Sequence, residues 1–337
     1  MEKEIGGYFE LDLSKVSSNS LEEYTLRNLW NIDSPSHNFF CLNTGRNSIE
    51  LVLRSIPKIS CLYIPYFTCS SVLEPLDKLN LPYRFYSINF NLEMEEHFSL
   101  KENEYILYTN YFGIKDEYVE RLHCKYGDSL IVDNAQALYA NPVGKCTYSP
   151  RKYVGLPDGG FAFCNDPSSN ICFDKSHSYD LCSHLLKRID CGAGAGYADF
   201  KDNSKKLSGL PILGMSNLTA RIFQSIDLKE VQDKRRKNFE YLHHELKLTN
   251  QLSIPSFDSF ACPMVYPYYI ESDSLRTELI KNKVFVATYW PNVLNWCKED
   301  TVEHRLAKYI LPLPIDQRYS IEDMDFIINI IKENESK

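Results

Sequence analysis

Four short apolar runs, CLYIPYF (61–67), YRFYSI (83–88), YILYT (105–109) and SLIVD (129–133), set the strongest limit on what this chain can fold into. Each is rich in β-branched and aromatic residues and stops at polar or turn residues, the pattern of a buried strand. Between and around them lie segments of helical character, among them NSIELVLRSI (47–56) and DEYVERLHCKYG (116–127). Strands and helices that alternate in this way are joined by right-handed crossovers, which gives a largely parallel sheet covered by helices. Ligands of such sheets gather at the carboxyl ends of the strands. Asp133 stands at one of those ends.

The second half of the chain has a different rhythm. Residues 218–248, LTARIFQSIDLKEVQDKRRKNFEYLHHELKL, read as one long charged amphipathic helix able to bridge two domains. Its KRRK run (234–237) reads as a solvated face. Beyond it, MVYPYYIES (264–272), SLRTELIKNK (274–283), VFVATYW (284–290) and the helix SIEDMDFIINIIKE (320–333) compose a small α+β domain. That last helix opens on an N-cap serine and early acids, which its dipole favours. A chain of 337 residues accommodates this division, with a large domain over 1–235 and a small one over 236–337.

Composition narrows the function. A net charge of −8, from 45 acidic against 37 basic residues and without a long basic block, argues against wholesale binding of nucleic acid or an anionic membrane. The opening MEKEIGGYFELDL carries early acids and no apolar signal region, and no later run approaches a bilayer span, so a cytosolic protein is expected. Eleven cysteines without a CxxC pair suggest neither a disulfide framework nor a zinc ribbon, but small buried hydrophobes. His177, His184, His243 and His244 lack the spacing of metal ligands, and no GxSxG is present. CGAGAGYADF (191–200) has the look of a dinucleotide fingerprint, yet it follows a polar helix-like segment instead of a strand. It reads as a flexible loop that covers a site.

Two places carry candidate chemistry. In LNTGRNSIELVL, Gly45 immediately precedes a helix, where free backbone N–H groups favour an anion such as phosphate, and Arg46 adds a charge-assisted contact. In DNAQALYANPVGKCTYSPRKYVGLPDGG, Asp133 ends an apolar run and Lys152 precedes a tight loop of Gly155, Pro157, Gly159 and Gly160 that leads into FAFC. An isolated exposed lysine is an ordinary solubilising charge; a lysine held in a cleft between strand ends forms Schiff bases with carbonyls. An aspartate facing the same cleft keeps a pyridine nitrogen protonated, the pairing that pyridoxal phosphate requires.

These residues resemble the sugar aminotransferases of the DegT/DnrJ/EryC/StrS type, within the fold-type I pyridoxal-phosphate enzymes. The similarity runs through EIGGYFEL, NTGRNSIELVL, YIPYFTCSSV, YTNYFG, VDNAQAL, TYSPRKYVGLPDGG, GMSNLTA and LPLPIDQRYSIEDMDFII, in that order. The resemblance implies a large domain with a mostly parallel mixed sheet between helices and a small C-terminal α+β domain. It implies pyridoxal 5′-phosphate bound through Lys152, which later moves a proton, with Asp133 on the pyridinium N–H and Gln136 at the ring face or its 3′ oxygen. Gly45 and Arg46 then occupy the phosphate turn, Thr147 the place of a phosphate-binding serine with Ser149 nearby, and Asn110 a strand end beside the cofactor. Cys69 stands where an aromatic side chain stacks on the ring, and PILGM (211–215) replaces an Asn-x-Arg that reaches into the partner's site. A homodimer with sites at its interface is implied, acting on a nucleotide-linked keto sugar with an amino acid, glutamate, as donor, in polysaccharide or amino-sugar biosynthesis. Two alternatives remain on the sequence: a pyridoxal-phosphate enzyme of another reaction type or substrate, and a scaffold that retains the fold without catalysis.

Overall fold

The computed structural model describes residues 5–6, 19–33, 38–96, 98–164 and 173–335; most of the EIGGYFEL segment lies outside them. The chain runs from β1 (Ile5–Gly6) and α1 (Leu21–Trp30) into β2 (Phe39–Leu42), α2 (Gly45–Arg54), β3 (Cys61–Pro65), α3 (Leu73–Lys78) and β4 (Tyr83–Tyr86). It continues through β5 (Glu104–Thr109), α4 (Asp116–Tyr126), β6 (Leu130–Asn134), β7 (Lys145–Tyr148) and β8 (Gly160–Phe163). Then come α5 (Ser183–Lys206), α6 (Asn217–Gln224), α7 (Leu228–Leu246), β9 (Tyr266–Tyr269), α8 (Leu275–Lys281) and β10 (Val284–Phe285). Helices α9 (Pro291–Trp296) and α10 (Val302–Tyr309), strand β11 (Ile310–Leu313) and α11 (Ile321–Glu335) complete the order.

Seven strands form one sheet in the order β2-β8-β7-β6-β5-β3-β4. The pairs among β7, β6, β5, β3 and β4 are parallel, while β8 lies antiparallel to both β7 and β2. The largely parallel sheet expected from the apolar runs is therefore present, with β8 as the one reversed strand. This reversal has a local result: the start of β8 lies at the same sheet edge as the ends of the other strands. The central strand β6 is buried along its whole length, which explains why its sequence, LIVDN, does not alternate.

Helices cover both faces. On one, α2 and α3 bring Ile49, Val52 and Leu76 onto Leu62, Ile64, Leu107 and Ile131. Burying side chains of this size contributes about 1.5–3 kcal/mol each before entropy is counted. On the other face the core is aromatic: Trp30, Phe39, Phe161 and Phe163 pack mainly edge to face or tilted. It continues without a break to β9, β11 and α11 through Tyr266, Leu313 and Ile327. The helix α2 approaches β8 so closely that a Cβ on Gly160 would lie 2.5 Å from Ser48 Oγ and from the Thr44 carbonyl. Only glycine permits that contact.

The structure corrects three expectations. CGAGAGYADF is not a loop; it lies inside α5, whose helical path breaks at Gly192 (φ 83°, ψ 175°). Residues 218–248 form two helices instead of one, because Asp227 caps α7 by accepting a hydrogen bond from the Glu230 N–H after α6 has ended at Gln224. In KRRK, Lys234 and Lys237 are exposed, but Arg235 is among the largest fully buried side chains. VFVATYW supplies the two-residue strand β10 before the turn into α9. Among the described residues, no helix is long and apolar enough to cross a membrane.

Candidate active site

The carboxyl edge of the sheet opens into a cavity of about 180 Å³. Its walls come from the ends of successive strands: Thr109 from β5, Asp133 from β6, Thr147 from β7, Cys69 beyond β3, and Gly159 just before β8. Asp133 and Thr147 are register partners on neighbouring parallel strands. The turn after β7 is a single 3-10 turn over Pro150–Lys152, and it delivers Arg151 and Lys152 to the same cavity. Asp133 and Lys152, far apart in sequence, thus share one small space.

Their environment is electrostatically defined. Asp133 is only 6% exposed, and that burial pushes its carboxyl above the usual range while the nearby Lys152 ammonium and the Ala135 N–H, which donates to Oδ1 at 2.9 Å, pull it down. Gln136 is fully buried, with Oε1 accepting from the Phe112 N–H at 2.9 Å. Its Nε2 is buried and makes no hydrogen bond, an orphaned donor in the cavity wall. Lys152 is held through its backbone: its N–H donates to the Ser149 carbonyl at 3.2 Å, and the following Tyr153 donates its hydroxyl to the Gln136 carbonyl at 2.8 Å.

At the other wall, Thr44 caps α2 by accepting from the Asn47 N–H at 3.0 Å, so the first turn of α2 borders the cavity. Gly45 faces Ser149, whose Cβ and Oγ lie 3.5 Å from where a Cβ on Gly45 would stand. Arg46 lines the cavity but pairs with Glu74 at 3.0 Å and donates to the Leu207 carbonyl at 3.3 Å. Asn110 does not line the cavity. Its amide nitrogen is committed to Asp116 at 2.7 Å and Asn134 at 3.0 Å, and its oxygen accepts from the Lys115 N–H. It braces the strand ends from behind.

Two wall residues escape the sequence reading. Trp290 is buried, lines the cavity together with Cys69, and packs on Phe67 at 5.1 Å between ring centroids. Asn292 ties this segment down, donating to the Thr68 carbonyl at 2.9 Å and accepting from the Ser70 N–H at 3.3 Å. An aromatic side chain from the far end of the chain thus stands in the wall beside Cys69, and TYWP (288–291) was its only trace in the sequence. The second residue is Arg151, hidden beside the lysine that drew attention to the turn. Burial lowers its pKa to about 10, with Asp158 acting against that shift and Arg46 with it.

This donor set fits pyridoxal phosphate. Asp133 would hold the pyridine nitrogen, the unpaired Gln136 amide would be the donor to a ring oxygen, and Thr44, Gly45, Thr147 and Ser149 border a place for the phosphate.

No family model and no curated protein matches the chain. Solved structures do share its fold. A sugar aminotransferase from Micromonospora echinospora superposes with a TM-score of 0.64 at 14% identity, over 97% of this chain and 99% of that one. A DegT DnrJ EryC1 StrS aminotransferase from Brucella abortus does so at 0.61 and 16% identity, over 94% and 90%. A Streptococcus pneumoniae protein solved in a PLP-form reaches 0.67 at 12% identity, over 97% of each chain. At these identities the likeness is one of fold.

Proposed function

We propose that this fold serves here as a pyridoxal-phosphate-dependent aminotransferase that moves an amino group from an amino acid, glutamate, to a nucleotide-linked keto sugar. The observation that carries this reading is the convergence of Lys152 and the buried Asp133 on one cavity at adjoining strand ends. The sugar aminotransferase among the structures of this fold supports the substrate class. Residues 1–235 are read as the cofactor-binding part and 236–337 as the smaller part. A homodimer in the cytoplasm is part of the same reading, and the exposed Leu186, Ile189 and Tyr197 along α5 support an oligomer. The product suits amino-sugar or polysaccharide biosynthesis.

Pyridoxal phosphate, when bound, supplies an aldehyde that condenses with amines and a pyridinium ring that accepts an electron pair. The chain supplies the rest. Asp133, in a water-poor place, would face the ring nitrogen and accept its N–H. Lys152 would hold the aldehyde end of the cofactor, and its Nζ, when free, could take a proton from one carbon and return it to another. Gln136 would orient the ring through its amide. Trp290 closes one side of the cavity against water.

Absorbance in the near ultraviolet and visible, recorded before and after glutamate and beside a Lys152→Ala variant, tests this reading. A band that shifts with glutamate in the native protein, and that forms no lysine linkage in the variant, supports it. A protein that stays colourless with added pyridoxal phosphate overturns it.

A further inference from the structure

Charge around the cavity is unbalanced. Arg46, Arg151 and Lys152 line it, and Asp133 is the one carboxylate among the lining residues. Arg46 already has an ion-pair partner in Glu74 and donates from Nη1 to the Leu207 carbonyl, although its Nε, like that of Arg151, is buried without a hydrogen bond. Arg151 has neither kind of partner: its Nε is buried, and the side chain makes no hydrogen bond and no ion pair with any described residue. The carboxyl with the greatest electrostatic influence on it, Asp158, accepts hydrogen bonds from Thr219 and Ser176 instead. A half-buried guanidinium with no partner is costly, and a polar cavity that tolerates one is arranged for an anion.

The position of Arg151 selects which anion. It follows Ser149 by two residues in the turn that borders Gly45 and the first turn of α2, whose N-terminus favours negative charge. We infer that Arg151 is the cation that grips the phosphate of the cofactor, an assignment that rests on the pyridoxal-phosphate reading above. The guanidinium fork matches two phosphate oxygens, which a lysine at the same place would not. A positive group contributed from within the chain also makes good the Asn-x-Arg whose place is taken by PILGM (211–215).

The test compares two aldehydes, pyridoxal phosphate and pyridoxal, which differ only in the phosphate. Each is titrated by absorbance into the native protein, Arg151→Gln and Arg151→Lys, with circular dichroism as the check on folding. Arg151→Gln is expected to weaken pyridoxal phosphate by about ten- to a hundredfold and to leave pyridoxal unchanged. Arg151→Lys, which keeps the charge and loses the fork, falls in between, and it decides the matter if the Gln variant does not fold. Inorganic phosphate should compete with pyridoxal phosphate in the native protein and lose that ability in the variant. If native protein and variants bind pyridoxal phosphate equally, or if both aldehydes weaken together, the assignment of Arg151 is overturned while the cofactor reading stands. If the native protein binds neither aldehyde, both fall.

Discussion

Arg235 donates from Nη2 to the backbone carbonyl of Tyr153, the residue after Lys152, at 2.9 Å, and its guanidinium lies 4.6 Å over the Tyr153 ring. A second bond, from Nη1 to the Met264 carbonyl at 2.7 Å, joins the lysine turn to the approach of β9. One buried cation on α7 thus ties the turn that carries Lys152 to the C-terminal part. Arg235→Met strips these contacts and is expected to cost about 2–4 kcal/mol, read as a lower urea midpoint. An unchanged midpoint would mean the surrounding carbonyls find other donors.

Lys152→Ala should abolish amino transfer while leaving the unfolding transition within about 0.5 kcal/mol of the native protein, because its side chain makes no hydrogen bond with any described residue. Assaying keto-acid release from glutamate beside thermal unfolding checks both halves. Retained transfer would remove Lys152 from its assigned role.

Asp158 gives a pH prediction. Burial raises its pKa from 3.8 to about 6, against hydrogen bonds from Thr219 and Ser176 and the charge of Arg151. A carboxyl whose pKa rises on folding stabilises the native state fully below its unfolded value, and that contribution is lost as pH climbs through the folded value. Between about pH 4 and 6 this group therefore lowers stability as pH rises, by on the order of 3 kcal/mol in all. Asp158→Asn should lack that slope and gain on the native protein toward neutral pH. Denaturant unfolding at several pH values measures the difference.

Gly160→Ala forces a methyl group to within 2.5 Å of Ser48 Oγ and the Thr44 backbone. The expected loss is about 1–3 kcal/mol, together with weaker cofactor binding because α2 and its first turn must move. Normal binding beside normal stability would show that the helix yields freely.

Trp290→Ala should weaken retention of pyridoxal phosphate by about tenfold, whereas Cys69→Ala should matter less. Gel filtration followed by absorbance of the retained cofactor distinguishes the two. Equal effects would place the aromatic wall elsewhere.

The sheet was legible because its signal is local: LIVDN and YILYT are continuous apolar runs at strand length, and burial on both faces is what such runs mean. Asp133 and Lys152 were legible because strand ends and Gly/Pro turns can be read from neighbours in sequence. Trp290 was not, since its place in the wall depends on a contact between residues 67–70 and 290–292 that no spacing announces. Arg235 misled for a related reason. KRRK has the composition of a solvated face, and the burial of its second residue follows from which carbonyls the third dimension brings to it. The helix break at Asp227 could have been read, because an aspartate three residues before Glu230 is a capping signal that the surrounding amphipathic pattern outweighed.

The reversed strand β8 also bears on how the protein is made. In the seven-stranded sheet β2 pairs with β8 alone, so a growing chain that has completed β2 and α2 has no neighbour for that strand until residues 160–163 emerge. Pairing between such distant segments is slow and comes late. Until β8 slides between β2 and β7, Thr44 and Gly159 cannot meet. The wall where Thr44 meets Gly159 therefore cannot form before residues 159–163 have emerged, and a fragment ending before Gly160 would leave β2 an open edge prone to pairing with other chains.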